Sequence, residues 1–154
     1  VTLLYFEQNH NTTNYKLARK QVYVKTSNLA SLFQRMFSEP KSKQTSIKEV
    51  HKFSVLNHLF ASYTATLGLY VTEHFDQIPD FHNLQMVGDN TEKILALGIK
   101  TLQGEEVDLT EIQLVQLKNT VRDDEETVLL IPEQYINLQK AALDILKITT
   151  KIKL

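Results

Sequence analysis

The chain has 154 residues, of which 42% are hydrophobic and 23% charged, with only four glycines and three prolines. That is one ordinary domain, too apolar for a disordered tail and too poor in turn residues for a β-sandwich or barrel. The absence of cysteine excludes a disulfide scaffold, an iron–sulfur site and a thiol nucleophile, and a net charge of −1 makes no case for nucleic acid.

The opening segment, VTLLYFEQNHNTTN, has the pattern of an apolar tail followed by a polar hinge, without the basic and apolar regions of a signal peptide. Residues 1–14 are therefore expected to link an upstream element to a single helical domain, within a chain cut from a longer one. Residues 15–37 lack Gly and Pro, and Glu39-Pro40 stops them. Their apolar members Leu17, Val22, Val24, Leu29, Leu32, Phe33, Met36 and Phe37 predict a helix with a broad buried face. A polar connection, KSKQTS, offers Thr45 or Ser46 as the N-cap of the next helix, with Glu49 in its first turn.

That second helix, 47–75, carries Phe53, Leu56, Phe60, Tyr63, Leu67, Tyr70 and His74 at alternating spacings of three and four. This is a heptad seam, and Leu56, Phe60, Tyr63 and Leu67 are expected deep in the core. Val55, Leu59 and Leu69 widen the apolar face, so the helix needs two or more neighbours. Residues 53–72 contain no formal charge, a length that could span a bilayer. Ser54, Asn57, His58, Ser62, Thr64, Thr66 and Thr72 interrupt it at a cost in lipid, which favours a helix buried in protein.

Phe81, Leu84, Val87, Thr91, Ile94, Gly98 and Leu102 place a third helix over 81–102, closed by Gln103-Gly104, with Gly88 and Gly98 either weakening it or marking close helix contact. Asp108 or Thr110 would cap a shorter helix from Glu111 to about Val121. Val128–Ile131 could form one short strand, but Pro132 better suits the first position of a last helix, 132–148. The predicted fold is all-α: a bundle of four to five helices including one long uncharged central helix.

Charge is unevenly placed. Residues 1–52 hold nine Lys/Arg against three acidic residues, and residues 53–154 hold eight against fifteen. Two solvated faces that attract one another would explain this. So would a domain whose basic cluster, Lys16, Arg19 and Lys20, faces anionic lipid headgroups. These cations stand in the opening turns of a helix, where its dipole disfavours them.

No nucleotide-binding, zinc-protease or serine-hydrolase motif is present. His51, His58 and His74 share a helix at spacings unsuited to a metal, and His74, Asp76 and His82 could at most cluster around one connector. The paired carboxylates Glu105-Glu106 and Asp123–Glu126 sit in polar segments that do not desolvate an acid. Neither a catalytic residue, a metal site nor a cofactor is expected. Phe53, Phe60, Tyr63 and Tyr70 form an aromatic stripe that is either core or the lining of a pocket for a flat ligand.

The segment YKLARKQVYVKTSNLASLFQRMFSEPKSKQ (15–44) resembles the first long cytosolic helix of the YccS-like branch of the FUSC (fusaric acid resistance) family. A Y-[RK]-x-A-R-[RK] start matches Tyr15, Lys16, Ala18, Arg19 and Lys20. An R-M-x-x-E-P end matches Arg35, Met36, Glu39 and Pro40. The long uncharged helix and the closing Leu/Ile-rich helix look like that branch as well, while 103–131 shows no likeness. The resemblance implies a cytosolic domain on the cytoplasmic side of a bacterial inner-membrane efflux-type transporter. Such a domain would be non-enzymatic and would support assembly or gating. Its partners would be the transmembrane part of the same polypeptide, anionic lipid and, in a homo-oligomer, further copies. A soluble helical ligand-binding or signalling module using the Tyr/Phe face is the alternative from another class, and an acidic-centred enzyme ranks last.

Overall fold

In the computed structural model, the described residues are 12–73, 81–110, 112, 114, 115 and 126–152. Four α-helices account for most of them: α1 (Thr12–Ser38), α2 (Ile47–Glu73), α3 (Phe81–Leu102) and α4 (Glu126–Thr149), with a 3₁₀ turn at Lys41–Lys43. No strand occurs among the described residues, so the all-α expectation holds. None of the helices described is long and apolar enough to cross a membrane.

Local chemistry sets the helix ends. Pro40 follows the end of α1, and the Gln44 side chain folds back to donate from Nε2 to the carbonyls of Phe37 (3.0 Å) and Glu39 (2.7 Å). Ser46 stands at the start of α2 with φ 52°, its carbonyl accepting from the Val50 N–H at 2.9 Å. At the end of α3, Gly104 takes φ 83°. Its N–H bonds to the Thr101 carbonyl and that of Glu105 to the Lys100 carbonyl, a Schellman closure that needs a residue tolerant of positive φ.

Packing runs α1 on α2, α2 on α4, and α4 on α3. Tyr15 of α1 meets Gly68 of α2, and Phe33 meets His51, so these two helices are antiparallel. Leu67 joins Ile131, Tyr135 and Leu138 of α4 while Leu56 joins Ile145 and Ile148, again antiparallel. Along α3 and α4 the partners advance together. Leu84 and Val87 cluster with Ile131 and Tyr135, Ile94 with Ala142 and Leu146, and Thr101 Oγ1 donates to Thr149 Oγ1 at 2.6 Å. These two helices are therefore parallel.

The deepest core belongs to α4, whose Ala142 and Leu146 are fully buried with Ile131 and Tyr135 close behind. Leu67, Val87 and Ile94 complete it. Gly98 is buried against α4, but a Cβ there would lie 3.8 Å from the Leu146 Cα, an ordinary contact, so the packing accepts this glycine without requiring it. Buried hydroxyls on Thr91 and Thr149 donate to carbonyls of their own helices, Val87 and Leu146, at 2.7 Å each. That removes the cost of an unpaired polar group in the core.

Several expectations need correction. Helix α4 begins at Glu126, so Pro132 lies within it and the Val128–Ile131 segment is helical. A proline inside a helix costs about 3 kcal/mol. Continuing the helix upstream buries Ile131 against Leu67, Leu84 and Val87, a gain of about 1.5–3 kcal/mol for one side chain. The short helix expected from Glu111 is absent from its described residues Ile112, Leu114 and Val115, and its remainder lies outside the described residues. Leu56 and Leu67 are buried as expected, but Phe60 and Tyr63 are only half-buried, because they reach the core from its rim. Val55, Leu59 and Leu69 face outward, since α2 has neighbours on two sides and solvent on the rest. The broad buried face expected of α1 is likewise missing: Leu17, Val22, Val24, Leu32 and Phe37 are exposed, and Leu29, Phe33 and Met36 half-buried. One neighbouring helix can cover only one narrow stripe.

Candidate functional site

Helix α1 lies at one end of the packing order and carries the largest net charge of the four helices. Its 27 residues include Lys16, Arg19, Lys20, Lys25 and Arg35 and no acidic residue. All five cations are exposed. The stripe that meets α2 runs through Tyr15, Thr26, Leu29, Ala30, Phe33 and Met36, with Thr26 its one fully buried member. The Thr26 hydroxyl donates to the Val22 and Tyr23 carbonyls at 2.9 and 3.1 Å, so the tight point of the α1–α2 contact carries no unpaired group.

Within the predicted cluster, Lys16, Arg19 and Lys20 stand one to two turns into α1. The Arg19 guanidinium donates to the Tyr23 hydroxyl at 3.3 Å and lies 5.5 Å from the Tyr23 ring centroid. The hydrogen bond to Tyr23 pushes the Arg19 pKa up from an already high value, so its charge is permanent. Among the described residues the one ion pair is Lys147–Asp144 at 3.7 Å on α4, exposed at both ends. No carboxylate among the described residues pairs with α1. The intramolecular attraction between basic and acidic faces therefore has no direct contact among the described residues.

The acidic counterpart lies in the segment after α3. Glu105, Glu106 and Asp108 are all exposed. Asp108 Oδ1 accepts from the Thr110 N–H (2.8 Å) and hydroxyl (2.7 Å), which lowers its pKa and shapes the loop. Asp108 thus organises a turn instead of capping a helix. The side chains of Asp123–Glu126 lie outside the described residues.

The aromatic stripe on α2 lies at the edge of the core. Phe60, Tyr63 and Tyr70 pack against the cluster around Leu67, Leu84, Val87, Ile131, Tyr135 and Leu138, and Phe53 against that of Leu56, Ile145 and Ile148. Phe60 also touches the Ile94–Ala142–Leu146 cluster and so joins all three. Packing is the role these contacts explain. His51 is exposed, its ring 4.9 Å from that of Phe33, and His58 is exposed too. His74, Asp76 and the His82 side chain lie outside the described residues. No group of three His or acidic side chains that could hold a metal occurs among the described residues.

Features without a sequence signal are the Tyr15–Gly68 contact and the polar groups inside α4. Gln139 is almost fully buried with no partner for its Nε2, and burial pushes the Tyr135 phenol well above its ordinary pKa. Leu17, Val24 and Leu32 on α1 face outward and not into the core, because Tyr15, Thr26 and Phe33 define the opposite face.

No protein-family model, no curated protein and no solved structure matches this chain.

Proposed function

We propose that this chain is a non-enzymatic helical support domain of an efflux-type membrane protein, held at the cytosolic face of an anionic bilayer by helix α1. The observation that carries the proposal is an exposed 27-residue helix with five cations, no acidic residue and no ion pair to any described carboxylate. Juxtamembrane Lys or Arg near anionic lipid contributes about 1 kcal/mol each, fading beyond a Debye length of roughly 8 Å. Three or four such residues bind the isolated domain weakly and bias its orientation strongly once it is tethered. The short likeness of residues 15–44 to the YccS-like FUSC branch adds the setting: a domain that braces the transmembrane part of its own polypeptide.

The test is co-sedimentation with vesicles. The domain should pellet with phosphatidylglycerol-containing vesicles, stay in solution with pure phosphatidylcholine, and lose binding with added salt. Lys16→Glu with Lys20→Glu should abolish the association without changing the circular dichroism spectrum. Unchanged binding in that double variant would make the cluster a solvated helix face and remove the proposal's support.

A further inference from the structure

Helix α1 carries more than charge on its free side. At about 100° per residue, Leu17 and Val24 fall nearly opposite Thr26, the point buried against α2, and Leu32 lies beside them. Their exposures of 55%, 49% and 47% agree with that placement. Lys20 flanks this aliphatic line on one side and Lys25 on the other. We infer that α1 lies flat in the interface of an anionic bilayer, with Leu17, Val24 and Leu32 entering the headgroup–acyl boundary and the flanking lysines reaching up to phosphates. This rests on the membrane-facing role proposed above and adds the mode of contact.

Two observations favour a lipid surface over a protein helix as the occupant. The outward aliphatics are sparse: Leu17 and Val24 are seven residues apart, with Gln21, Asn28 and Ser31 filling the rest of that face. Knobs-into-holes packing needs two apolar positions per heptad, more than this face supplies. An interfacial helix binds by the apolar area it buries plus its attraction to anionic lipid, and on α1 long cations that snorkel, as Lys stems do, supply most of that attraction. The second observation is charge complementarity at the level of the whole domain. Packing runs from α1 through α2 and α4 to α3, so the acidic Glu105–Asp108 loop, which follows α3, sits at the opposite end of the packing order from α1. An anionic surface attracts the first and repels the second.

The chain contains no tryptophan, which makes a single-site fluorescent probe straightforward. Val24→Trp puts the probe on the outward face, and Ile99→Trp puts it at an exposed position of α3. With phosphatidylglycerol-containing vesicles, the Val24→Trp emission should shift to the blue and be quenched by brominated acyl chains. The Ile99→Trp emission should do neither. Leu17→Gln with Val24→Gln should weaken vesicle binding several-fold and steepen its loss with salt, while Lys16→Glu with Lys20→Glu should abolish it. Binding without any shift or quenching at Val24→Trp would overturn insertion and leave the electrostatic role standing. Equal quenching at both probes would overturn the flat placement of α1. Absence of vesicle binding in every variant and in the native chain would overturn both proposals.

Discussion

Gly68→Ala tests the α1–α2 contact at the atom level. A Cβ built on Gly68 would lie 2.6 Å from Cζ and 3.0 Å from Cε2 of the Tyr15 ring, well inside van der Waals contact. The helical propensity of alanine alone should stabilise α2 by about 0.5–1 kcal/mol. Overpacking at a closed contact costs about 1–3 kcal/mol, and here the clash is with a ring that must swing away from α2 and lose its cover. The difference is a net loss of up to about 2 kcal/mol, or at most roughly 8 °C in Tm for a domain of this size, because only the outer end of the Tyr15 side chain must move. In a Tyr15→Ala background the ring is gone, and the same Gly68→Ala change should raise stability by about 0.5–1 kcal/mol. A double-mutant cycle by thermal or urea denaturation should therefore show a coupling of about 2 kcal/mol. Gly98→Ala is the internal control, because its added Cβ would meet its nearest neighbours at 3.8 Å, an ordinary contact. It should be neutral or mildly stabilising. If Gly68→Ala has the same effect with and without the Tyr15 ring, α1 is not packed on α2 in this register.

Within α2, Leu67→Ala should cost about 2–5 kcal/mol by denaturant unfolding, since Leu67 is fully buried, whereas Leu59→Ala on the outward face should stay within about 0.5 kcal/mol. Equal losses would mean that the outer face of α2 is covered in solution. Gln44→Ala should cost about 1 kcal/mol, because two carbonyls at the end of α1 lose their side-chain donor; hydrogen exchange should show the last turn of α1 fraying in that variant. Tyr135 supplies a pH signature. Burial raises its folded pKa above the unfolded value of about 10, so its stabilising contribution is complete below pH 10 and is lost as pH rises beyond it. The unfolding free energy should fall more steeply above pH 10 in the native chain than in Tyr135→Phe; identical slopes would show that the phenol is solvated.

The seam on α2 was legible because its three-and-four spacing persists for five turns, and a two-sided neighbourhood preserves such a pattern. Gly104 was legible because a helix that ends in Gln-Gly with a free chain beyond it has few other closures. What the pattern could not supply was the number of neighbours. Apolar residues on α1 have helical spacing all round, and only the packing order reveals that a single stripe, Tyr15 to Met36, has a partner. The same ignorance placed Pro132 at the start of α4: the burial of Ile131 that continues the helix upstream comes from Leu67, Leu84 and Val87, none of them near in sequence. For the candidate site, the cations were visible as residues. That no described carboxylate pairs with them is a matter of packing, which the sequence pattern does not carry.

The packing order also bears on what α1 can do. Helices α3 and α4 are parallel and share a continuous core from Leu84 to Thr101 on one side and from Ile131 to Thr149 on the other, with α2 crossing the same core at Leu56 and Leu67. These three elements bury the fully enclosed aliphatics. By contrast, α1 buries one threonine and a half-covered stripe, and its main packing partner is α2. Opening α1 away from α2 therefore exposes far less apolar area than any other local opening, and local free energies follow buried area. A helix with that little holding it gains proportionally more from a second surface. In the membrane-facing role proposed above, a bilayer that takes up Leu17, Val24 and the lysines beside them would order α1 while the three-helix core keeps its fold.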